Sequence, residues 1–115
     1  MSCCPSTAWG QLNNPDYKEK GQVEKIEDLD IYHVGQGSKC IIWNYDVFGF
    51  KGGRTRQMCD FLAENGYLVV MPDYYRGELC DPGKEGDRIV GFIQEKTKWD
   101  SLKADWEKKV RFLEF

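Results

Sequence analysis

Residues 40–49 read CIIWNYDVFG, residues 53–65 read GRTRQMCDFLAEN, and residues 66–75 read GYLVVMPDYY. The outer two segments each carry a short uninterrupted apolar run, Cys40 to Trp43 and Tyr67 to Met71, of the kind found in strands covered on both faces. In the middle segment Met58, Phe61, Leu62 and Asn65 fall at helical spacing, and Gly66 stands where a C-terminal cap belongs. Strand, helix, strand is a βαβ unit, whose crossover lays the helix over a parallel pair, so the predicted class is α/β.

Working outward, Gln22 to Val34 alternates in a way that suggests one or two exposed strands turning near Glu27-Asp28, and Gly35-Gln36-Gly37 supplies a further turn. Residues 1–21 show no period and contain the Asn14-Pro15 and Lys20-Gly21 breakers, so they read as an irregular arm, with 22–115 as one domain portion. On the other side, Cys80-Asp81-Pro82-Gly83 is turn chemistry, and Asp87 to Glu95 suits a short helix. Thr97-Lys98-Trp99-Asp100 matches a capping box. Trp99, Leu102, Trp106, Val110 and Leu113 then recur at helical spacing, a stripe that needs a surface to pack against. Periodic tryptophans of this kind line a core far more often than they stack on a ligand.

The totals exclude several classes. With 115 residues, 16 Lys plus Arg against 19 Asp plus Glu and a net charge of -3, scattered rather than blocked, nothing favours nucleic acid or an anionic membrane. No apolar run reaches the roughly 18 to 20 residues of a bilayer span, and the opening MSCCPSTAWG has neither the basic nor the apolar region of a secretory signal. Five cysteines (Cys3, Cys4, Cys40, Cys59 and Cys80), an odd number without such a signal, predict a reducing, cytoplasmic setting. The adjacent Cys3 and Cys4 and the sole histidine, His33, lack the ligand spacing of a structural zinc site, so no metal and no cofactor is expected.

The order of an apolar strand closing on Tyr45-Asp46-Val47-Phe48-Gly49, a helix, and a second strand closing on Pro72-Asp73 with Tyr74 and Tyr75 behind it resembles the dienelactone hydrolase family. Cys3-Cys4-Pro5, Trp9-Gly10 and the closing amphipathic helix are similar to eukaryotic members, so the resemblance covers essentially the whole chain. It implies the N-terminal half of an α/β-hydrolase fold, with a partial, mostly parallel sheet and flanking helices. It also implies an enzyme that opens lactones or esters through a cysteine nucleophile.

The family's Gly-x-Cys-x-Gly elbow and its later Asp and His have no counterpart here, and His33 lies too early to be the base. None of the triad is therefore assigned, and the chain alone is expected to be inactive. By position the resemblance gives Val47 an oxyanion-hole backbone amide and Asp46 the carboxylate that partners the nucleophilic thiol, where bacterial members carry Glu. The plain reading of Asp46 is a turn acid capping its own loop. Arg76 is a candidate anchor for a substrate carboxylate, although the family's arginine falls one position later, at Gly77; the plain reading is a solvated loop arginine. Cys40 and Cys59 read as small hydrophobes on a strand and a helix, and Cys80 as a loop thiol with only Arg76 near enough in sequence to activate it.

The expected partners are a small ester or lactone substrate in a complete protein, and a partner chain covering an open sheet edge and the last helix. The competing reading is a non-catalytic interaction or structural protein that retains half of a hydrolase fold.

Overall fold

The computed structural model describes residues 16–51, 54–81 and 85–113. Four strands form one sheet in the order β1-β2-β4-β3: β1 (Gln22–Ile26), β2 (Leu29–Val34), β3 (Cys40–Ile42) and β4 (Leu68–Pro72). Helix α1 (Thr55–Glu64) joins β3 to β4, and a 3-10 turn (Gly86–Arg88) leads into α2 (Ile89–Lys96) and then α3 (Trp99–Leu113). The α/β class and the βαβ unit hold, since β3 and β4 pair in parallel with Cys40 opposite Leu68 and Ile42 opposite Val70.

The sheet is mixed among the described residues rather than mostly parallel. β1 and β2 form a hairpin through Glu27-Asp28, and β2 meets β4 antiparallel, so two of the three ladders are antiparallel. The cause is the two-residue turn, which forces strands it joins to run in opposite directions. Glu27 adopts φ 56° there.

Alternation along each strand divides the core in two. Tyr32, Val69 and Met71 face α1 and meet Cys59, Leu62 and Ala63; Leu29, Ile31 and Val70 face the other way and meet Phe112 and Leu113 of α3. Each fully buried side chain of this size contributes roughly 1.5 to 3 kcal/mol. Gly66 caps α1 at φ 95°, its N–H reaching the Ala63 carbonyl at 3.1 Å, as its position predicted. Gly35 (φ 86°) passes so close to the start of β4 that a Cβ there would lie 2.3 Å from the Tyr67 carbonyl oxygen.

Three expectations need correction. The inward face of α1 is Cys59, Asp60, Leu62 and Ala63, while Met58 and Phe61 are exposed. Asp60 is turned inward because its carboxylate accepts from the hydroxyls of Tyr17 and Tyr32 and from the Lys20 N–H, a set of donors gathered from distant parts of the chain. Second, β3 is an edge strand among the described residues, and Cys40 at its start is exposed while Ile41 and Ile42 are half-buried, so the run is not covered on both faces. Third, the Thr97 hydroxyl donates back to the Ile93 carbonyl (2.6 Å), closing α2 instead of capping α3. The expected irregular arm lies mostly outside the described residues, as do Cys3 and Cys4; residues 16–21 carry no helix or strand. Among the described residues no helix is long and apolar enough to cross a membrane.

Candidate active site

Parallel strands of an open α/β sheet end on one side, and ligands bind in the crevice beyond those carboxyl ends. Here that side carries two loops, residues 43–50 after β3 and residues 73–80 after β4. The Tyr45 hydroxyl joins them: it donates to Asp73 Oδ1 at 2.6 Å and accepts the Tyr75 N–H at 2.7 Å. Burial, and then the Asp73 hydrogen bond, hold the Tyr45 hydroxyl far above the ordinary tyrosine range, so it stays a donor. The rings of Tyr45, Tyr75 and Phe92 stack edge to face at 5.0 and 5.2 Å, extending the contact to α2. A second bond, from the Cys80 N–H to the Val47 carbonyl at 2.7 Å, fastens the loops farther along.

Asp46 organises its own loop. Its Oδ1 accepts the Phe48 N–H at 2.9 Å and its carbonyl accepts the Gly49 N–H at 3.1 Å, the side-chain turn that aspartate favours. Gly49 is needed for this path, at φ 90° and with the Glu78 carbonyl 3.1 Å from where a Cβ would stand. The Asp46 carboxylate is exposed, yet its charge reaches the phenol of Tyr75, which burial and then Asp46 push upward. For the Val47 N–H no partner is found among the described residues, while the Val47 side chain packs on Cys80, Ile89 and Phe92.

Arg76 is neither free nor merely solvated. At φ 54° it turns its guanidinium onto Asp105 of α3, Nη2 to Oδ1 at 2.7 Å and Nη1 to Oδ2 at 3.0 Å, while Nε reaches Asp28 at 3.3 Å. The other sequence candidates sit elsewhere. Cys80 is fully buried with Ile89 and Phe92, and burial raises the Cys59 thiol to about 12, so Cys59 is not a thiolate. His33 lies on β2 with its ring 5.4 Å from that of Phe112, away from both loops.

Next to the two loops opens a cleft of about 480 Å³ between Asn44, Tyr45, Tyr74 and Tyr75 on one side and Trp99 and Trp106 of α3 on the other. The Tyr45–Asp73–Tyr75 link was not visible beforehand, because nothing in one sequence shows that residues 28 and 30 apart will meet. The only hint was that each apolar run is followed by tyrosine and aspartate.

Known proteins bear on this arrangement. The chain is 33% identical over 98 residues to a carboxymethylenebutenolidase homolog of Rattus norvegicus, covering 82% of this chain and 39% of that protein. It is 35% identical over 85 residues to the carboxymethylenebutenolidase homolog of Xenopus tropicalis, covering 70% and 35% respectively. Against the hydrolase tropI of Talaromyces stipitatus it is 28% identical over 86 residues, covering 71% of this chain and 32% of that one. The chain thus spans well under half the length of these curated relatives. No solved structure matches it significantly. The family model of the dienelactone hydrolases matches residues 31–115, from the second strand of the sheet through α3. The chain belongs to the dienelactone hydrolase family.

Proposed function

We propose that this chain contributes the oxyanion-loop portion of a hydrolase acting on lactone or ester bonds. The nucleophile is a cysteine thiolate lying outside these 115 residues. It attacks the carbonyl carbon, the C–O bond to the leaving alcohol breaks, and water then cleaves the thioester to release the acid and regenerate the thiol. The Val47 N–H supplies one of two amides that hold the oxyanion, and the Asp46 carboxylate partners the thiol. Arg76 takes a substrate carboxylate through Nε, giving up its contact to the exposed Asp28 while its two terminal nitrogens stay on Asp105.

The observation that carries this reading is the placement of the Asp46-Val47 turn at the carboxyl end of β3, in a chain matched by this family over residues 31–115. The test is turnover of p-nitrophenyl acetate and dihydrocoumarin by the purified chain, alone and mixed with the remaining portion of the rat relative. Background rates alone and saturable turnover in the mixture are the expected results. Saturable turnover by the chain alone, or none in a demonstrably formed complex, overturns it.

A second reading, a non-catalytic interaction protein, draws on one observation, the exposure of Trp99 and Trp106 on α3. Binding in the mixture without turnover is the result that favours it.

A further inference from the structure

Two side chains that the candidate site does not use share the face of the sheet that α3 covers. In β3, Ile41 packs with the cluster on the α1 side, so strand alternation turns Cys40 the opposite way, toward α3. The partner of Cys40 in register is Leu68, which lies on that same face in the cluster that holds Phe112 and Leu113 of α3. Lys109 stands three and four positions before Phe112 and Leu113, which places it on the same side of the helix.

A lysine in such a place normally has a carboxylate beside it, because an unpaired buried ammonium is costly. Lys109 has none. It is 0% exposed, its amine has no hydrogen-bond partner among the described residues, and it rests against the Trp106 ring. Asp105, one turn earlier, is committed to Arg76. The ionisable group that does act on the Lys109 amine is the Cys40 thiol, and the influence is mutual. Burial lowers the amine to about 8, so part of it is the neutral, nucleophilic form near neutral pH. Partial burial raises the Cys40 thiol, and Lys109 opposes that rise. Cys40 is also free and exposed, whereas Cys59 and Cys80 are buried. A thiol open to solvent beside a buried, unpaired amine supplies both groups that a sulfur–nitrogen bond needs.

We propose that Cys40 and Lys109 are an oxidant-sensitive pair that closes to a covalent sulfur–nitrogen link between β3 and α3. The oxidant is hydrogen peroxide. One of its oxygens passes to the Cys40 sulfur as the O–O bond breaks, giving the sulfenic acid and one water. The Lys109 amine then attacks that sulfur, the S–O bond breaks, and the hydroxyl leaves with an amine proton as a second water. A sulfenamide remains, so one peroxide has been reduced and the protein has lost two hydrogen atoms. Two equivalents of an external thiol reverse the step, restoring Cys40 and Lys109 and leaving the external disulfide. The closed link encloses α1, β4 and α2, and so restrains most of the described chain. The pair lies at the start of β3, whereas the Asp46-Val47 turn follows its other end, and it needs no hydrolase activity.

The test treats the purified, reduced 115-residue chain with millimolar hydrogen peroxide and maps its peptides by mass spectrometry. Expected is a peptide pair joined through Cys40 and Lys109, lighter than the sum of its parts by two hydrogen atoms and separated again by dithiothreitol. The melting temperature of the linked chain should rise by roughly 5 °C or more, because the link restricts the unfolded chain. Lys109→Met keeps the apolar stem and removes the amine, so it should abolish the link and leave Cys40 as a sulfenic acid that dimedone traps. Cys40→Ser should abolish it too, while Cys3→Ser and Cys4→Ser should keep the parent's yield. Circular dichroism of each reduced variant is expected to match the parent, which separates loss of the link from loss of the fold. Oxidation of Cys40 to the sulfinic acid with Lys109 still free in the parent overturns the proposal. So does a disulfide from Cys40 to Cys3, Cys4 or a second chain in place of the link, or a link that persists in Lys109→Met.

Discussion

Arg76 presents both fork nitrogens to the carboxylate of Asp105, at 2.7 and 3.0 Å, and so ties the loop after β4 to the middle of α3. The Asp105 side chain is 5% exposed and that of Arg76 35%, so the two partners are not equivalent. Removing Arg76 strands a carboxylate in the interior, with the Lys108 amine no nearer than 3.9 Å, whereas removing Asp105 leaves Arg76 paired with Asp28 and partly hydrated. Arg76→Ala is expected to cost about 2 kcal/mol, a breakage penalty reduced by partial exposure. Asp105→Ala should cost less. Urea unfolding of both variants checks the order, and equal losses would show that solvent already satisfies Asp105.

Tyr45→Phe removes the hydroxyl that bridges Asp73 and the Tyr75 N–H. Both partners are then left short of a bond in a largely buried place, with an expected loss of about 2 kcal/mol. Near-ultraviolet circular dichroism should fall as well, since the edge-to-face contact of Tyr45 with Tyr75 depends on this anchor. A melting temperature within error of the parent would mean that the loops are held by the Cys80–Val47 bond instead.

How far the sequence revealed this molecule depended on the range of the forces involved. β2, β4, α1 and the Gly66 cap were legible because each is specified by neighbours within a turn or a strand. The rotation of α1 was not, since Asp60 is drawn inward by Tyr17 and Tyr32, 43 and 28 positions away. The capping box failed for a local reason instead: the Thr97 hydroxyl stands between two helix ends and took the Ile93 carbonyl four residues behind it. In the candidate site the Asp46 turn was visible as local chemistry. The engagement of Arg76 was not, because its partners Asp28 and Asp105 lie 48 and 29 residues away on different elements.

Lys109 gives the chain a pH dependence of definite sign. Burial lowers its ammonium pKa from 10.5 to about 8, so between those values the unfolded chain binds a proton that the folded chain does not. Stability from this residue therefore rises as pH goes from about 8 toward 10.5, and below pH 8 its full desolvation penalty is present. The tyrosines act in the opposite sense, Tyr17 being raised to about 12 by burial and then by its Asp60 hydrogen bond, so stability falls above pH 10. Lys109→Met isolates the lysine. The variant should exceed the parent by on the order of 2 kcal/mol at pH 7, with the gap narrowing steadily from pH 8 toward pH 10.5. A gap that does not vary with pH would show that Lys109 remains hydrated when folded.

Asp46 can be divided into its two roles by choosing the replacement. Its Oδ1 accepts the Phe48 N–H at 2.9 Å, and asparagine keeps an oxygen in that position while removing the charge. Alanine removes both. Asp46→Asn should therefore leave the melting temperature nearly unchanged, whereas Asp46→Ala should loosen the turn and cost about 1 kcal/mol. If Asp46 partners the thiol as proposed, its charge is what that thiol feels in a catalytically competent assembly. Its removal is expected to change kcat/KM for a lactone or ester by about tenfold, equivalent to roughly 1.4 kcal/mol in the barrier. The direction distinguishes two uses of the carboxylate, since a faster variant means that Asp46 restrains the thiolate at rest and a slower one that it assists activation. If Asn matches the parent in kcat/KM and in thiol pKa while Ala merely melts earlier, the carboxylate serves the turn alone, and thiol activation belongs to residues outside this chain.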